Sequence, residues 1–229
     1  MKPNTLNKCE FCDKQFKSER TLFAHTCRLK IREQSRSDPE TKLALLAYQR
    51  FYQLTQGSPN IKTWEQFSNS SYYAGFVRFA RYVKTNNVIN PMLFVDWVIK
   101  KQVKLTNWCS DRVYEEYLVD LLTKESAEAA VERGFLAMQE WADKFDTSFN
   151  QYFYHAGNHR LVRDISLGSI SPWLLYATET GRDALDKLDE SQIAYVIKYI
   201  EPDVWQNKIR NDVEELEYVR NACEVAGIK

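Results

Sequence analysis

The chain has 229 residues, 44% of them hydrophobic and 27% charged, and its formal net charge is zero. That balance is too apolar for a disordered chain, and the length allows one core, or one core plus a small appendage. Only 7 glycines and 6 prolines favour long regular elements over a loop-rich β architecture, and no run of 18 apolar residues offers a membrane span.

The zero charge is a cancellation. Residues 1 to 36 hold nine Lys or Arg against four acidic residues, or +5, which leaves −5 for residues 37 to 229. A basic head on an acidic body is the asymmetry expected where one end meets a polyanion.

The opening stretch, MKPNTLNK, lacks the apolar segment of a secretory signal. Next comes CEFCDKQFKSERTLFAHTC, residues 9 to 27. Cys9 and Cys12 make a C-x2-C knuckle, twelve residues separate Cys12 from His25, and Cys27 follows two positions later. Three thiolates and one imidazole are a donor set that zinc accepts in a tetrahedron. So short a segment cannot bury enough apolar surface to fold alone, so a metal must supply most of its folding free energy. Phe16 and Leu22 would form a miniature core beneath it. With three of five cysteines in one metal-spaced cluster, a reducing compartment such as the cytoplasm is expected. Cys109 and Cys223 stand alone and read as small buried side chains.

The spacing C-x2-C-x3-F-x5-L-x2-H resembles the ββα zinc finger, C2H2-like but here C2HC. The resemblance covers about the first 30 residues. It implies Cys9 and Cys12 on a hairpin and His25 in the last turns of a helix starting near Ser18. The fourth ligand departs from the family, which places it three to five residues after the histidine, whereas only Thr26 separates His25 from Cys27. A two-residue step on a helix turns about 200°, so His25 and Cys27 can share a metal only if the helix ends or distorts between them.

Under that family geometry Ser18, Arg20, Thr21 and Ala24 face base edges. Of these only Arg20 has a side chain suited to bidentate base readout, and one finger covers only about 3 bp. Phosphate contacts from Lys14, Lys17, Arg20, Arg28, Lys30 and Arg32 should therefore dominate. Nucleic-acid binding would then be sequence-tolerant and steeply salt-dependent. Phe11 and Phe23, which the zinc core does not need, carry the competing expectation of an interaction module that docks on a protein and binds no nucleic acid.

Beyond Cys27, RLKIREQSRSDPE reads as a basic extension and linker, ending where Asp38 caps a helix with Pro39 at its first position. That helix runs to Leu54 and stops at Gly57-Ser58-Pro59-Asn60. Thr63 and Gln66 stand at capping-box spacing. A helix from about Ser71 to Lys84 turns Tyr72, Phe76, Phe79, Tyr82 and Val83 inward and lines up Arg78, Arg81 and Lys84 on a second stripe. The segment MLFVDWVIKKQ is apolar almost all round and reads as the most buried helix, with Lys100, Lys101 and Lys104 leaving it as a small basic cluster. Helices follow after Ser110 or Asp111, after Ser126 and after Ser171-Pro172. A last one, DVWQNKIRNDVEELEYVRNACEVAG, begins at Pro202 and ends at Gly227.

No segment outside the finger alternates with period two between hairpin turns. The expected fold is mainly α: a finger with its basic extension at 1–32, a linker at 33–38, and one all-α domain of nine or ten helices at 39–229. The body holds no P-loop, nucleophile elbow or H-E-x-x-H pair. His155 and His159 are four apart, but Gly157 between them argues against a shared helix face. The expectation is a non-enzymatic protein with a zinc ion, a nucleic-acid partner, a protein partner for the helical body, no small-molecule substrate and no membrane. The finger together with an aromatic body, in stretches such as FYQLTQG and GSISPWLLY, also resembles accessory proteins of large T4-like tailed phages. That likeness implies work in the host cytoplasm around viral DNA replication, late transcription or particle assembly.

Overall fold

The computed structural model describes residues 7–57 and 60–229; the first six residues and the Ser58-Pro59 part of the expected helix stop lie outside the described residues. The chain is mainly α, as the pattern predicts, and divides into two compact units, Met1–Tyr114 and Glu115–Lys229.

In the first unit, β1 (Asn7–Lys8) and β2 (Gln15–Phe16) pair antiparallel, with Asn7 opposite Phe16 and Lys8 opposite Gln15. Then come α1 (Glu19–Phe23), α2 (Arg28–Gln34), α3 (Pro39–Gln56), α4 (Trp64–Asn69), α5 (Tyr73–Thr85), α6 (Pro91–Lys100) and a 3-10 turn at Leu105–Asn107. The local signals act where the sequence places them. Pro39 opens α3, and Gly57 closes it with φ +58°, a left-handed conformation that glycine adopts without steric cost. Thr63 and Gln66 cap each other across the first turn of α4. The core is aromatic. Trp108 is fully buried, its ring 5.3 Å from Phe79 and 5.7 Å from Phe76, and Tyr48 meets Phe76 edge-on at 5.5 Å.

Two expectations fail in detail. Tyr73, not Tyr72, is the buried residue at the start of α5. Phe94, Val95 and Val98 of α6 are buried, but Leu93 is half exposed, so the helix is not apolar-packed all round. In both cases the neighbours decide: Arg32 and Phe67 pack on the Tyr73 ring, and only one side of α6 meets α3.

α7 (Asp111–Lys124) crosses into the second unit, which continues with α8 (Ala127–Phe145), a 3-10 turn at Phe149–Gln151, α9 (Tyr152–His155), α10 (Asn158–Ser166) and α11 (Pro172–Ala177). It ends with α12 (Glu179–Asp186), α13 (Glu190–Ile200), α14 (Pro202–Asn211) and α15 (Val213–Val225). Among the described residues, thirteen α-helices run from Pro39 onward where nine or ten are expected. The long terminal helix is in fact two, broken at Asp212 so that Trp205 can stack edge-on against Trp173 at 5.7 Å while α15 packs on α8 and α11. α8 crosses α11 closely enough that a Cβ on Gly134 would sit 2.1 Å from Leu174 Cδ1. Two buried carboxylates are fully engaged. Glu125 takes two guanidinium bonds from Arg133, at 2.6 and 2.7 Å, and the Ser171 hydroxyl at 2.9 Å. Asp164 accepts from Tyr152 Oη at 2.7 Å and from Arg160 Nε. Among the described residues no helix is long and apolar enough to cross a membrane.

Candidate metal centre

The hairpin turn between β1 and β2 is a knuckle, closed by Cys9 N–H donating to Lys14 O at 2.9 Å and Asp13 N–H to Cys9 O at 2.9 Å. Asp13 sits at φ +60°, a left-handed position that Asp tolerates better than most residues. This turn holds Cys9 and Cys12 on one side. Ser18 caps α1, with its hydroxyl accepting from Thr21 N–H at 3.3 Å and Thr21 Oγ1 accepting from Ser18 N–H at 3.3 Å.

α1 ends at Phe23, with Ala24 as its C-cap. His25 therefore lies just past the helix rather than in its last turns, and the chain is non-helical through Thr26 to Cys27. This is the break that the two-residue spacing requires. Cys27 has extended backbone, φ −122° and ψ 162°, and serves as N-cap of α2, its Sγ accepting the Lys30 N–H at 3.5 Å. The donor atoms of Cys9, Cys12, His25 and Cys27 all lie within 4.8 Å of one another, and Cys12 Sγ is 3.3 Å from His25 Nε2. A tetrahedron with metal–sulfur bonds of about 2.3 Å has sulfur–sulfur edges of about 3.8 Å. The four donors lie close enough together that they could hold a metal ion, compatible with zinc.

The surroundings shift the two knuckle thiols in opposite directions. At Cys9 burial pushes the thiol up, but N–H groups of Phe11 and Cys12 and the sulfurs of Cys12 and Cys27 outweigh it, and the net is below the ordinary thiol value. At Cys12 the Lys14 N–H pulls downward, yet burial and the sulfurs of Cys9 and Cys27 win, and the net is upward. Neighbouring thiolates repel one another, and a cation bound among them would offset that repulsion. Phe16 packs against the imidazole with the rings tilted and their centroids 4.6 Å apart.

The six cations that the sequence offers for phosphate contact separate into two groups. Lys14, Lys17, Arg20 and Arg28 are exposed, and none forms an ion pair among the described residues. Lys30 is half-buried, its ammonium donating to His25 O at 3.2 Å. Arg32 is buried: its guanidinium lies 4.1 Å from the Tyr73 ring centre and donates to Ser68 O and to Ser70 O. Around it, Trp64 Nε1 donates to Glu33 Oε2 at 2.5 Å and Ser35 Oγ lies 3.1 Å from Tyr73 Oη. Lys30 and Arg32 thus hold the centre together and fasten α2 to α4 and α5. The clue for Lys30 is its place three residues after a capping cysteine; Arg32 gives no such clue, because its partners lie more than thirty residues away.

Ser18, Arg20, Thr21 and Ala24 are all exposed. Phe23 is 88% exposed, and with Phe11 and Leu22 it lines a groove of about 540 Å³ on the head, rimmed by Lys8, Glu10, Glu19 and Lys30. His155 and His159 fall on different helices, α9 and α10, and among the described residues only the Cys9, Cys12, His25, Cys27 group gathers metal-ligating side chains. No protein-family model, no curated protein and no solved structure matches the chain, so the likeness to phage accessory proteins gains no support.

Proposed function

We propose that this protein is a zinc-binding, non-enzymatic accessory factor that associates with nucleic acid through the phosphate backbone. Cys9, Cys12, His25 and Cys27 would hold the ion, and Lys14, Lys17, Arg20 and Arg28 would meet phosphates. The carrying observation is that one donor cluster organises a head on which Lys14, Lys17, Arg20 and Arg28 are exposed and form no ion pair among the described residues. A resident zinc would supply fixed tetrahedral geometry here, and the chain's own residues do the rest. Cys27 turns the backbone into α2, Lys30 ties His25 to that turn, and Arg32 anchors the helix. A non-catalytic role accords with buried carboxylates such as Glu125 and Asp164 being engaged by structural partners. The helical units would contact a partner protein, and free thiols in the centre suit a reducing compartment such as the cytoplasm.

The test is fluorescence anisotropy of a labelled random duplex of about 20 bp with the zinc-loaded full chain. The head's four phosphate contacts alone predict that log K falls against log salt with a slope at least as steep as about −3.6, at about −0.9 per contact, and that chelation weakens binding. Absence of binding at low salt would overturn the proposal. The exposed Phe23 and its groove favour a second reading, a head that docks on a protein, and that reading would then stand.

A further inference from the structure

The boundary at Tyr114 divides the charge far more sharply than the chain ends do. Residues 1–114 carry 19 Lys or Arg against 9 Asp or Glu, or +10, and residues 115–229 carry 12 against 22, or −10. The head through residue 36 accounts for only half of the first unit's excess. The remainder falls on residues 37–114, with ten basic against five acidic side chains.

Several of those ten are spoken for. Arg50 pairs with Asp96 at 2.6 Å, Lys84 with Glu40 at 2.5 Å, and Lys62 lies over the Tyr52 ring. Lys100, Lys101 and Lys104 are exposed, form no ion pair among the described residues and, unlike the other unpaired cations, crowd within five residues. Two of them sit at the carboxyl end of α6, where the helix dipole favours cations. That effect does not extend to Lys104, which opens the next 3-10 turn. Three ammonium groups within five residues repel one another, and none has a carboxylate at ion-pair distance among the described residues, although Lys101 also lies over the Trp97 ring.

The backbone beneath them is firmly set. Gln102 takes φ +56°, Val103 N–H donates to Val98 O at 2.9 Å, and the buried Trp108 donates through Nε1 to Val103 O at 3.0 Å. Leu105 packs against Gly75, in the first turn of α5. The same end of α5 receives the head, since Arg32 bonds Ser70 O and covers Tyr73. Both cationic groups are therefore carried at the amino-terminal end of one helix.

We infer that the Lys100–Lys104 turn is a second phosphate-gripping surface, so that duplex DNA touches the first unit at this turn as well as at the head. The inference rests on the nucleic-acid reading given above. Lysine suits it, as a compact point charge that meets phosphate without demanding planar geometry. Duplex rather than single strand fits because the turn offers no open aromatic face for base stacking: Trp97 is half-buried, with Lys101 Nζ 5.7 Å from its ring centre.

The experiment measures binding of the zinc-loaded full chain to a random duplex of about 20 bp, comparing wild type, K100A/K101A/K104A and K14A/K17A. The first variant is expected to lose tenfold or more in affinity at low salt and to flatten the salt slope by about 2 to 3, with zinc content and melting midpoint unchanged. K104E alone, a single exposed change, is expected to weaken binding in the same direction. Affinity within twofold of wild type for both K100A/K101A/K104A and K104E, while K14A/K17A binds weakly, would overturn this inference and leave the head's role intact. No binding by wild type would overturn both, and tighter binding of single-stranded DNA than of duplex would overturn the assignment to duplex.

Discussion

Between Asn7 and Cys27 a single side chain, that of Cys9, is buried, whereas α3 to α6 of the same unit bury Tyr48, Phe67, Phe76, Phe79, Phe94 and Val98. The head has two strands of two residues and a helix of five, too few hydrogen bonds and too little apolar area to hold a shape. What it has instead is four donors aimed at one point. The helices need no such centre, because Trp108 and the rings around it remove enough surface from water to fix the chain. The contrast teaches that one compact unit can combine two sources of order, joined at α2. That helix starts on Cys27, one of the four clustered donors, and rests its side chains on α4 and α5.

Removing the metal tests that contrast hardest. A structural zinc contributes on the order of 10–16 kcal/mol to a segment of this size. Chelation, or Cys9→Ser, is expected to unfold residues 7–27 and to leave the far-UV helical signal nearly intact, because only α1 is lost. Hydrogen exchange localises the change, and a cooperative collapse of the whole chain would break the comparison. Trp108→Ala probes the other source. It should cost about 3–5 kcal/mol in urea unfolding monitored by helical signal, while the variant still retains its zinc. Loss of zinc along with helix stability would mean that the two parts are not separately held.

Arg32→Ala addresses the joint and should have the smallest effect. Truncation leaves the carbonyls of Ser68 and Ser70 without their donor and uncovers Tyr73, a loss of about 1–3 kcal/mol. Amide exchange should quicken in α2 and α4 first, with zinc affinity changed only a few-fold. Equal acceleration throughout the unit would show that α2 is not a distinct joint.

The donor cluster was legible in the sequence because ligand chemistry restricts residue type and spacing within twenty residues; the close spacing of His25 and Cys27 called for a helix break at that point, and α1 in fact ends earlier, at Phe23. Helix starts at Pro39, Thr63, Ser126 and Ser171 were legible for a similar reason, since a cap acts within one turn. What escaped depends on partners distant along the chain. Arg32 looks like any surface arginine until Ser68, Ser70 and Tyr73 are brought to it. Asp212 looks like a mid-helix residue until Trp205 must reach Trp173. Charge partition at Tyr114 is present in the composition, but it becomes visible only once the boundary between units is known.

The central claim is that a tetrahedral metal gives the head its shape, and zinc-edge X-ray absorption with elemental analysis on purified full-length chain tests it most directly. The account predicts one zinc per chain, bound by three sulfurs near about 2.3 Å and one nitrogen near about 2.0 Å, with the signal lost in Cys9→Ser. A chain that purifies folded through residues 7–27 without bound metal, or whose zinc has an oxygen-dominated shell, would contradict it.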